Sequence, residues 1–252
     1  MRVILGIQYN GKDFCGWQIQ PNGRTVQQTL EDALKKLTGE NISVQGSGRT
    51  DSGVHALCQV AHFDTQSTIP PQKFACALNG LLPSDVQVLF SMQAKDDFHS
   101  RFSAKKKTYV YTFYQSEVNL PLTDDYAQRI AGKVDVDKMQ AGAKYIEGTH
   151  DFKCFLASNS SVKDTVRTVY YCKVKKKNNL ITLEVCGNGF LYNMVRTIAG
   201  TLLYVGEGRF APEKVKDIIE GKSRLDAGKT MPAKGLMLKK VYYKGVKFPK
   251  IY

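Results

Sequence analysis

The stretch GSGRTDSGVHALCQVAHFDT, residues 46–65, places the carboxylate of Asp51 two residues after Arg49 in a run of glycines and serines. On both sides of this run, the residues alternate as they do in strands that bury one face. The sequence therefore predicts a hairpin with a loop of about eight to ten residues, whereas common hairpin loops have about two to five. A long glycine-rich loop with charged side chains lets backbone and charge approach a ligand closely.

Considered alone, the loop is equally consistent with a surface turn in which Arg49 and Asp51 form an ion pair. The charge balance favours a ligand, because 36 Lys and Arg against 23 Asp and Glu give a formal net charge of +13. A chain this basic usually binds a polyanion, of which nucleic acid is the commonest. An anionic membrane is the alternative, but the sequence has neither an apolar run near about 18 residues nor a strongly basic amphipathic helix.

The six cysteines and four histidines are scattered along the 252 residues, and no CxxC pair occurs. This spacing predicts free thiols in a reducing cytoplasm. The N-terminal residues alternate like a strand and lack the apolar core of a signal peptide, which also indicates a cytoplasmic protein. His150 and Cys154 are close in sequence, but we expect no metal site because a second ligand pair is missing.

The first half of the chain predicts the order strand, helix, two strands, helix, strand. Residues 3–9 alternate as a strand. The first helix has Thr25 as its predicted N-cap and Gly39 as its stop. After the hairpin, PPQKFACALNGLL, residues 70–82, predicts a second helix with Leu81 facing inward. A closing strand follows.

The second half repeats this order. Its predicted elements are a strand over 105–114, a helix over 135–147, strands over about 165–174 and 180–187, helices over 190–206 and 211–221, and a strand over 236–241. This is the order of the ferredoxin-like unit. We therefore predict an α+β fold of two ferredoxin-like β-α-β-β-α-β halves, domains 1–98 and 99–252, whose antiparallel sheets meet at a central basic cleft.

The sequence lacks a P-loop, a GxGxxG motif, HExxH, GxSxG and the RNA-recognition signature. Nucleotide-fuelled, metal-dependent and serine-nucleophile enzymes are therefore poorly supported. An ionised and partly desolvated carboxylate such as Asp51 can act as a covalent nucleophile at a sugar or base carbon. It then needs a cation to offset its burial, and a flat surface to hold an unstacked base.

Nearly the whole chain resembles the tRNA pseudouridine synthase A family. The motifs that carry the resemblance are, in order, YNGKDFCGWQIQPNGRTVQQTLEDAL, GRTDSGVHALCQVAHFDT, ALNGLLPSDVQV, FHSRFSAKKKTYVY, GTHDFKCF, GNGFLYNMVRTIAGTLLYVGEG and MPAKGLML. The resemblance implies an enzyme that converts uridine to pseudouridine in the anticodon stem-loop of tRNA, usually at positions 38, 39 and 40. It also implies that no cofactor is used and that the protein is a homodimer of two-lobed subunits.

The resemblance assigns roles to five residues of this sequence. Asp51 in GRTDSG matches the catalytic nucleophile, and Arg49 matches an arginine that helps to extrude the target nucleotide. Tyr109 in KKTYVY matches the tyrosine that stacks on the target base. Arg196 in MVRTIAG matches the basic residue that pairs with the catalytic carboxylate, and Leu236 in PAKGLML matches the apolar residue that packs under the base. Taken singly, Tyr109 fits an ordinary half-buried sheet residue and Arg196 a helix-surface charge.

Two departures from the family pattern leave other functions open. Ser52 and Ser100 stand where the family usually has alanine, which is compatible with a paralogue that modifies other tRNA uridines.

A non-catalytic basic RNA-binding module is a second alternative. A glycosidic hydrolase is a third, but it needs a second carboxylate near Asp51. The lysines of residues 105–107 and 173–177 are expected either to contact phosphates or to be solvated strand ends.

Overall fold

A computed structural model of the protein describes residues 1–157 and 162–249. The protein is α+β, with mostly antiparallel strand pairs, which confirms the predicted fold class. Its backbone forms two compact units: the first is Met1–Lys105 with the residues from Leu238 onward, and the second is Lys106–Met237. The domain boundary after residue 98 and the basic cleft stay predictions. Every helix in the described part of the chain falls short of the length and hydropathy that crossing a bilayer requires.

The first unit follows the predicted order of strands and helices. Its elements are β1 (Arg2–Tyr9), α1 (Val26–Thr38), β2 (Gln45–Gly46), β3 (His55–Asp64), α2 (Phe74–Asn79) and β4 (Val86–Gln93). The sheet runs in the order β4-β1-β3, and β2 pairs with β3. The final strand, β10 (Leu236–Tyr243), also pairs with β3.

The helices of the first unit show where sequence signals determine the boundaries. The Thr25 hydroxyl accepts a hydrogen bond from the backbone N–H of Gln28 at 3.4 Å, and Gly39 ends α1 in the left-handed region with φ 77°. Both caps were predicted. The helix α2 is shorter than predicted, and Leu81 is 43% exposed, so the prediction that it faces inward was wrong. The side chain of Asn79 donates to the carbonyl of Val88 and accepts from its N–H, which joins the helix end to β4.

The second unit contains the elements predicted for the second half except the last strand, which is β10 and lies mostly in the first unit, and it has three additional short α-helices and strands. Its first element is β5 (Ala104–Gln115), which belongs to this unit from Lys106 onward. The others are α3 (Pro121–Asp124), β6 (Gln128–Ile130), α4 (Val136–Lys144), β7 (Gly148–Asp151), β8 (Val166–Lys177), β9 (Leu180–Gly187), α5 (Met194–Gly206) and α6 (Lys214–Gly221). The antiparallel order is β5-β9-β8-β7, and β6 lies parallel to β5. The additional elements are α3, β6 and β7.

The helix α5 begins four residues later than predicted. Its N-cap, Asn193, has a left-handed backbone conformation with φ 62°. Right-handed helices do not continue through a left-handed residue, and asparagine tolerates this conformation better than most other residues. The consequence for the site is that Arg196 lies in the first turn of α5.

A buried histidine of β3, His62, contacts the turn that precedes β5. His62 is 4% exposed, and the fully buried Ser100 lies against it, with its hydroxyl 3.0 Å from His62 Nδ1. Burial lowers the pKa of His62 to about 4. His99 and Arg2 act in the same direction, and Asp64 opposes them. The folded protein therefore holds His62 neutral at physiological pH.

We predict that His62 makes the stability of the protein depend on pH. Unfolded histidine takes up a proton near its ordinary pKa of about 6.5, whereas folded His62 resists protonation until about pH 4. The unfolded state therefore binds more protons in this window, and the free energy of unfolding falls by about 1–2 kcal/mol between pH 7 and 5. Urea unfolding of the wild type and of His62→Gln at both pH values measures the effect. The same pH dependence in both proteins would contradict it.

Candidate active site

A buried glutamine of β3 fixes the start of the loop that carries Asp51. Ser47 donates its hydroxyl proton to Gln59 Oε1 at 2.5 Å, and Gln59 Nε2 donates to the carbonyl of Gly48 at 2.9 Å. The backbone N–H of Ser47 also donates to the carbonyl of Val60 at 2.7 Å. Gln59 itself is completely buried. These bonds attach the start of the loop to the strand that follows it.

The segment after β1 holds the other side of the loop by backbone hydrogen bonds. The N–H of Trp17 donates to the carbonyl of Thr50 at 3.0 Å, and the N–H of Gly53 donates to the carbonyl of Phe14 at 3.2 Å. Gly16, with φ 96°, lies so close that a Cβ atom there would stand 2.6 Å from the carbonyl oxygen of Thr50. Only glycine allows both this conformation and this approach. The GW pair of the sequence therefore shapes the Asp51 loop.

Tyr9 forms the buried contact between β1 and the loop. Its hydroxyl lies 2.8 Å from the hydroxyl of Thr50, in a site where burial raises the pKa of Tyr9. The ring of Trp17 is 6.3 Å from that of Tyr9 and is 2% exposed. A Cβ atom on Gly46 would come within 2.5 Å of the indole. Trp17 is thus a core residue that supports the base of the loop.

The turn at Asp51 is closed by its own backbone. The N–H of Val54 donates to the carbonyl of Asp51 at 3.1 Å, and Gly53 takes the positive φ, 77°, that the third position of such a turn can require. Asp51 is half-buried and Arg49 is exposed. The Arg49 guanidinium donates from Nε to the side-chain oxygen of Gln18 at 3.2 Å. The loop thus presents a carboxylate on a backbone that is fixed on both sides.

In the second unit, Arg196 is held by two oxygen acceptors. Its Nε donates to the carbonyl of Met231 and its Nη1 to the side-chain oxygen of Asn193, each at 2.7 Å. The N–H of Met231 donates back to the carbonyl of Arg196 at 3.2 Å. Arg196 is half-buried. These contacts distinguish it from an ordinary helix-surface charge, because the guanidinium plane is fixed by the first turn of α5 and by the chain that crosses it.

The crossing chain passes close to α5 because glycine leaves room for it. A Cβ atom on Gly200 would lie 1.9 Å from the carbonyl oxygen of Lys229. The N–H of Gly228 donates to the hydroxyl of Thr201 at 2.9 Å. Any larger residue at position 200 would displace the segment that leads to Met231, and with it the carbonyl that orients Arg196.

The same segment contacts the tyrosines of β5. The hydroxyl of Tyr111 donates to the carbonyl of Pro232 at 2.8 Å, and a Cβ atom on Gly235 would lie 2.6 Å from the ring of Tyr111. Leu236 follows at the start of β10 and is 6% exposed. Tyr109, two residues before Tyr111, is half-buried. The MPAKGL motif therefore contacts Arg196 through Met231, contacts β5 through Pro232 and Gly235, and ends in Leu236.

The ring of Tyr109 has a neighbour of its own. It meets the ring of Phe190 edge to face, with centroids 5.2 Å apart and planes at 85°. Phe190 precedes α5, and the backbone of Tyr109 pairs with Val185 of β9. Edge-to-face packing fixes the orientation of an aromatic ring. This contact gives the half-buried ring of Tyr109 a defined orientation.

Several positioning residues were not identified from the sequence. Gln59 positions the Asp51 loop in the first unit, and Asn193 and the carbonyl of Met231 position Arg196 in the second. Single residues of these types carry no distinctive sequence pattern. Gln59 is completely buried, but the residues of β3 around it are buried on both faces, so no alternation along the strand marks its position. Within residues 1–157 and 162–249, no cluster of His, Cys, Asp and Glu side chains suited to a metal ion is found.

The lysine runs differ in exposure. Lys105 is exposed, whereas the next two lysines of β5 are half-buried. In β8, Lys173 and Lys175 are exposed on either side of the buried Val174. Exposed lysines on one face of a strand suit phosphate contacts and solvation alike.

We predict that the hydroxyl of Tyr9 is needed to order the Asp51 loop. Tyr9→Phe removes the partner of Thr50 and is expected to lower the free energy of unfolding by about 1–2 kcal/mol. Tyr114→Phe is the matched control, because the hydroxyl of the buried Tyr114 donates to the side-chain oxygen of Asn119 at 2.7 Å, within the second unit. Amide hydrogen exchange should become faster at Gly53 and Val54 in Tyr9→Phe alone. Equal exchange at these amides in both variants would contradict the role.

Comparison with known proteins identifies the family. A family model described as tRNA pseudouridine synthase matches residues 6–103 and 143–244. The tRNA pseudouridine synthase A of Ruminiclostridium cellulolyticum is 46% identical over 243 residues, covering 96% of this chain and 99% of the relative. The enzymes of the same name from Caldicellulosiruptor bescii and Thermoanaerobacter sp. (strain X514) are 46% and 44% identical over 241 residues, with the same coverage. Since the match spans most of both chains and agrees with the sequence motifs, this chain belongs to the tRNA pseudouridine synthase family.

Proposed function

We propose that this protein converts uridine to pseudouridine in tRNA, with Asp51 as the covalent nucleophile and without a cofactor. The observation that carries the proposal is the half-buried carboxylate of Asp51 on a loop fixed by Gln59, Trp17 and Phe14. A nucleophile held in one position needs little reorganisation when the substrate arrives. Membership of the family supports the reaction and the tRNA substrate.

The reaction exchanges one glycosidic bond for another. The Asp51 carboxylate adds to C6 of the uracil or to C1′ of the ribose. In either route the bond between N1 and C1′ breaks, the uracil turns, and C5 bonds to C1′. In the C1′ route, C5 displaces the carboxylate of Asp51 as it bonds to C1′, and in the C6 route the carboxylate is eliminated from C6 after C5 has bonded to C1′. C5 loses its proton and N1 gains one, so that Asp51 is regenerated and the product is an isomer of the substrate. No water is consumed.

Four further residues have proposed roles in this reaction. Arg196 pairs with the carboxylate of Asp51, and its fixed guanidinium, held by Met231 and Asn193, suits a directional ion pair. Tyr109 stacks on the extruded uracil and accepts the C5 proton, and Leu236 packs under the base. Arg49, which is exposed beside Asp51, helps to extrude the nucleotide.

The proposed substrate is the anticodon stem-loop, with uridines at positions 38, 39 and 40 as targets. Extrusion of a base costs a few kcal/mol, and least where the base is already unpaired. The net charge of +13 supplies an attraction to phosphate that offsets this cost. We propose that the protein acts in the cytoplasm as a homodimer, which extends the surface available to a tRNA.

The first test replaces the proposed nucleophile. We expect Asp51→Asn to abolish pseudouridine formation, detected by carbodiimide modification and primer extension, because the neutral amide is not nucleophilic. Binding of tRNA should persist within about threefold, since the substitution is nearly isosteric. Asp13→Asn, which changes an exposed carboxylate of the segment after β1, is the control and should keep full activity. Pseudouridine formation by Asp51→Asn would refute the assignment.

A second test determines the target positions. Transcripts of one tRNA with a uridine at position 38, 39 or 40 alone should each gain one pseudouridine, whereas a transcript with none of these uridines should gain none. Conversion elsewhere in the arm would show that the protein is a paralogue with another target. Light scattering on the same preparation should give about twice the mass of one chain, and a single-chain mass would refute the dimer.

A further inference from the structure

One large aromatic side chain of the first unit is held in solvent by a well-ordered turn. Phe102 is 74% exposed. The N–H groups of Arg101 and Phe102 donate to Nδ1 of His99 at 3.1 and 3.4 Å, and His99 and Ser103 exchange two further hydrogen bonds at 2.9 and 3.0 Å. The imidazole of His99 therefore closes the turn, and the position of Phe102 follows from it.

The turn is attached to the core through its second residue. Ser100 is completely buried and donates its hydroxyl proton to the carbonyl of Gln45 at 2.5 Å. Its own carbonyl accepts a hydrogen bond from the hydroxyl of Tyr243 at 2.5 Å, and its N–H donates to Nδ1 of His62 at 3.2 Å. With Ser100 fixed inward, the chain places Phe102 outward. The exposure of Phe102 is thus built into the turn.

The groups around the ring of Phe102 suit a nucleic-acid base. The ring of His99 lies 4.4 Å from that of Phe102 at 37°, and the guanidinium carbon of Arg101 lies 5.6 Å from the ring centroid. The exposed Lys105 follows three residues later. An aromatic ring beside an arginine gives a stacking surface together with a positive charge for the backbone that carries the base.

We propose that Phe102, together with Arg101, forms a stacking platform for an unpaired base of the bound tRNA, distinct from the extruded uridine. This proposal rests on the proposed function, which makes tRNA the partner. The turn holds the ring in place before binding, so that little conformational entropy is lost on stacking. Every base has a π face, so the platform does not depend on the sequence of the tRNA.

The experiment compares Phe102→Ala and Phe102→Trp with wild type by fluorescence anisotropy. The probes are an unmodified tRNA transcript and a blunt RNA duplex of similar length without unpaired bases. We expect Phe102→Ala to weaken binding of the transcript about tenfold and to leave duplex binding within about twofold, because only the transcript offers free base faces. Phe102→Trp should bind the transcript as wild type does. Leu225→Ala, at a side chain that is 95% exposed in the second unit, is the control for loss of an exposed apolar group.

Equal binding of the transcript by Phe102→Ala and wild type would overturn the proposal, and would leave a protein partner as the explanation for the exposed ring. Equal weakening for transcript and duplex would also overturn it, because stacking would then not be the interaction. Circular dichroism confirms that each variant is folded. The readout is binding alone, so a wild-type protein that forms no pseudouridine would refute the proposed function without deciding the role of Phe102.

Discussion

The hydrogen bonds of Gln59 constrain the part of the protein on which the proposed chemistry depends. The amide of this buried side chain accepts from Ser47 and donates to Gly48, so that both bonds must be made for the start of the loop to keep its path. A buried amide without these partners would be destabilising. These bonds favour one path for the start of the loop. Gly53 supplies the positive φ of the turn after Asp51, and Gly16 of the preceding segment allows the close approach to the carbonyl of Thr50.

The same principle governs the second unit. Arg196 is oriented by a side-chain oxygen of Asn193 and a backbone carbonyl of Met231, and Tyr111 donates to the neighbouring carbonyl of Pro232. The irregular segment that contains Met231 and Pro232 thus orients the guanidinium of Arg196 and the ring of Tyr111. Sites built in this way tolerate little change in backbone path, which explains glycine at position 200, where the segment crosses α5.

The sequence predicts the elements of this fold well where the signal is local. The caps of α1 at Thr25 and Gly39 and the long loop around Asp51 depend on nearby residues, and both are present in the structure. The late start of α5 depends on the left-handed backbone conformation of Asn193. An asparagine can adopt this conformation but does not have to, so the sequence does not predict it. The support of the loop by Gln59 depends on a side chain from the following strand, so no local pattern reveals it. Roles for Asp51, Tyr109 and Arg196 came from the family resemblance and remain proposals.

The most direct measurement uses tRNA with 5-fluorouridine at the target position. Fluorine replaces the hydrogen that C5 must lose as a proton, so the reaction stops before that loss. If Asp51 adds to C6, the bond between the enzyme and the nucleotide then stays intact and the covalent species should accumulate. We expect protease digestion and mass spectrometry to find the nucleotide attached to the peptide that contains Asp51, on the side chain of that residue. Attachment at any other residue would refute Asp51 as the nucleophile. So would the unchanged release of the fluorinated tRNA by an enzyme that converts the normal substrate.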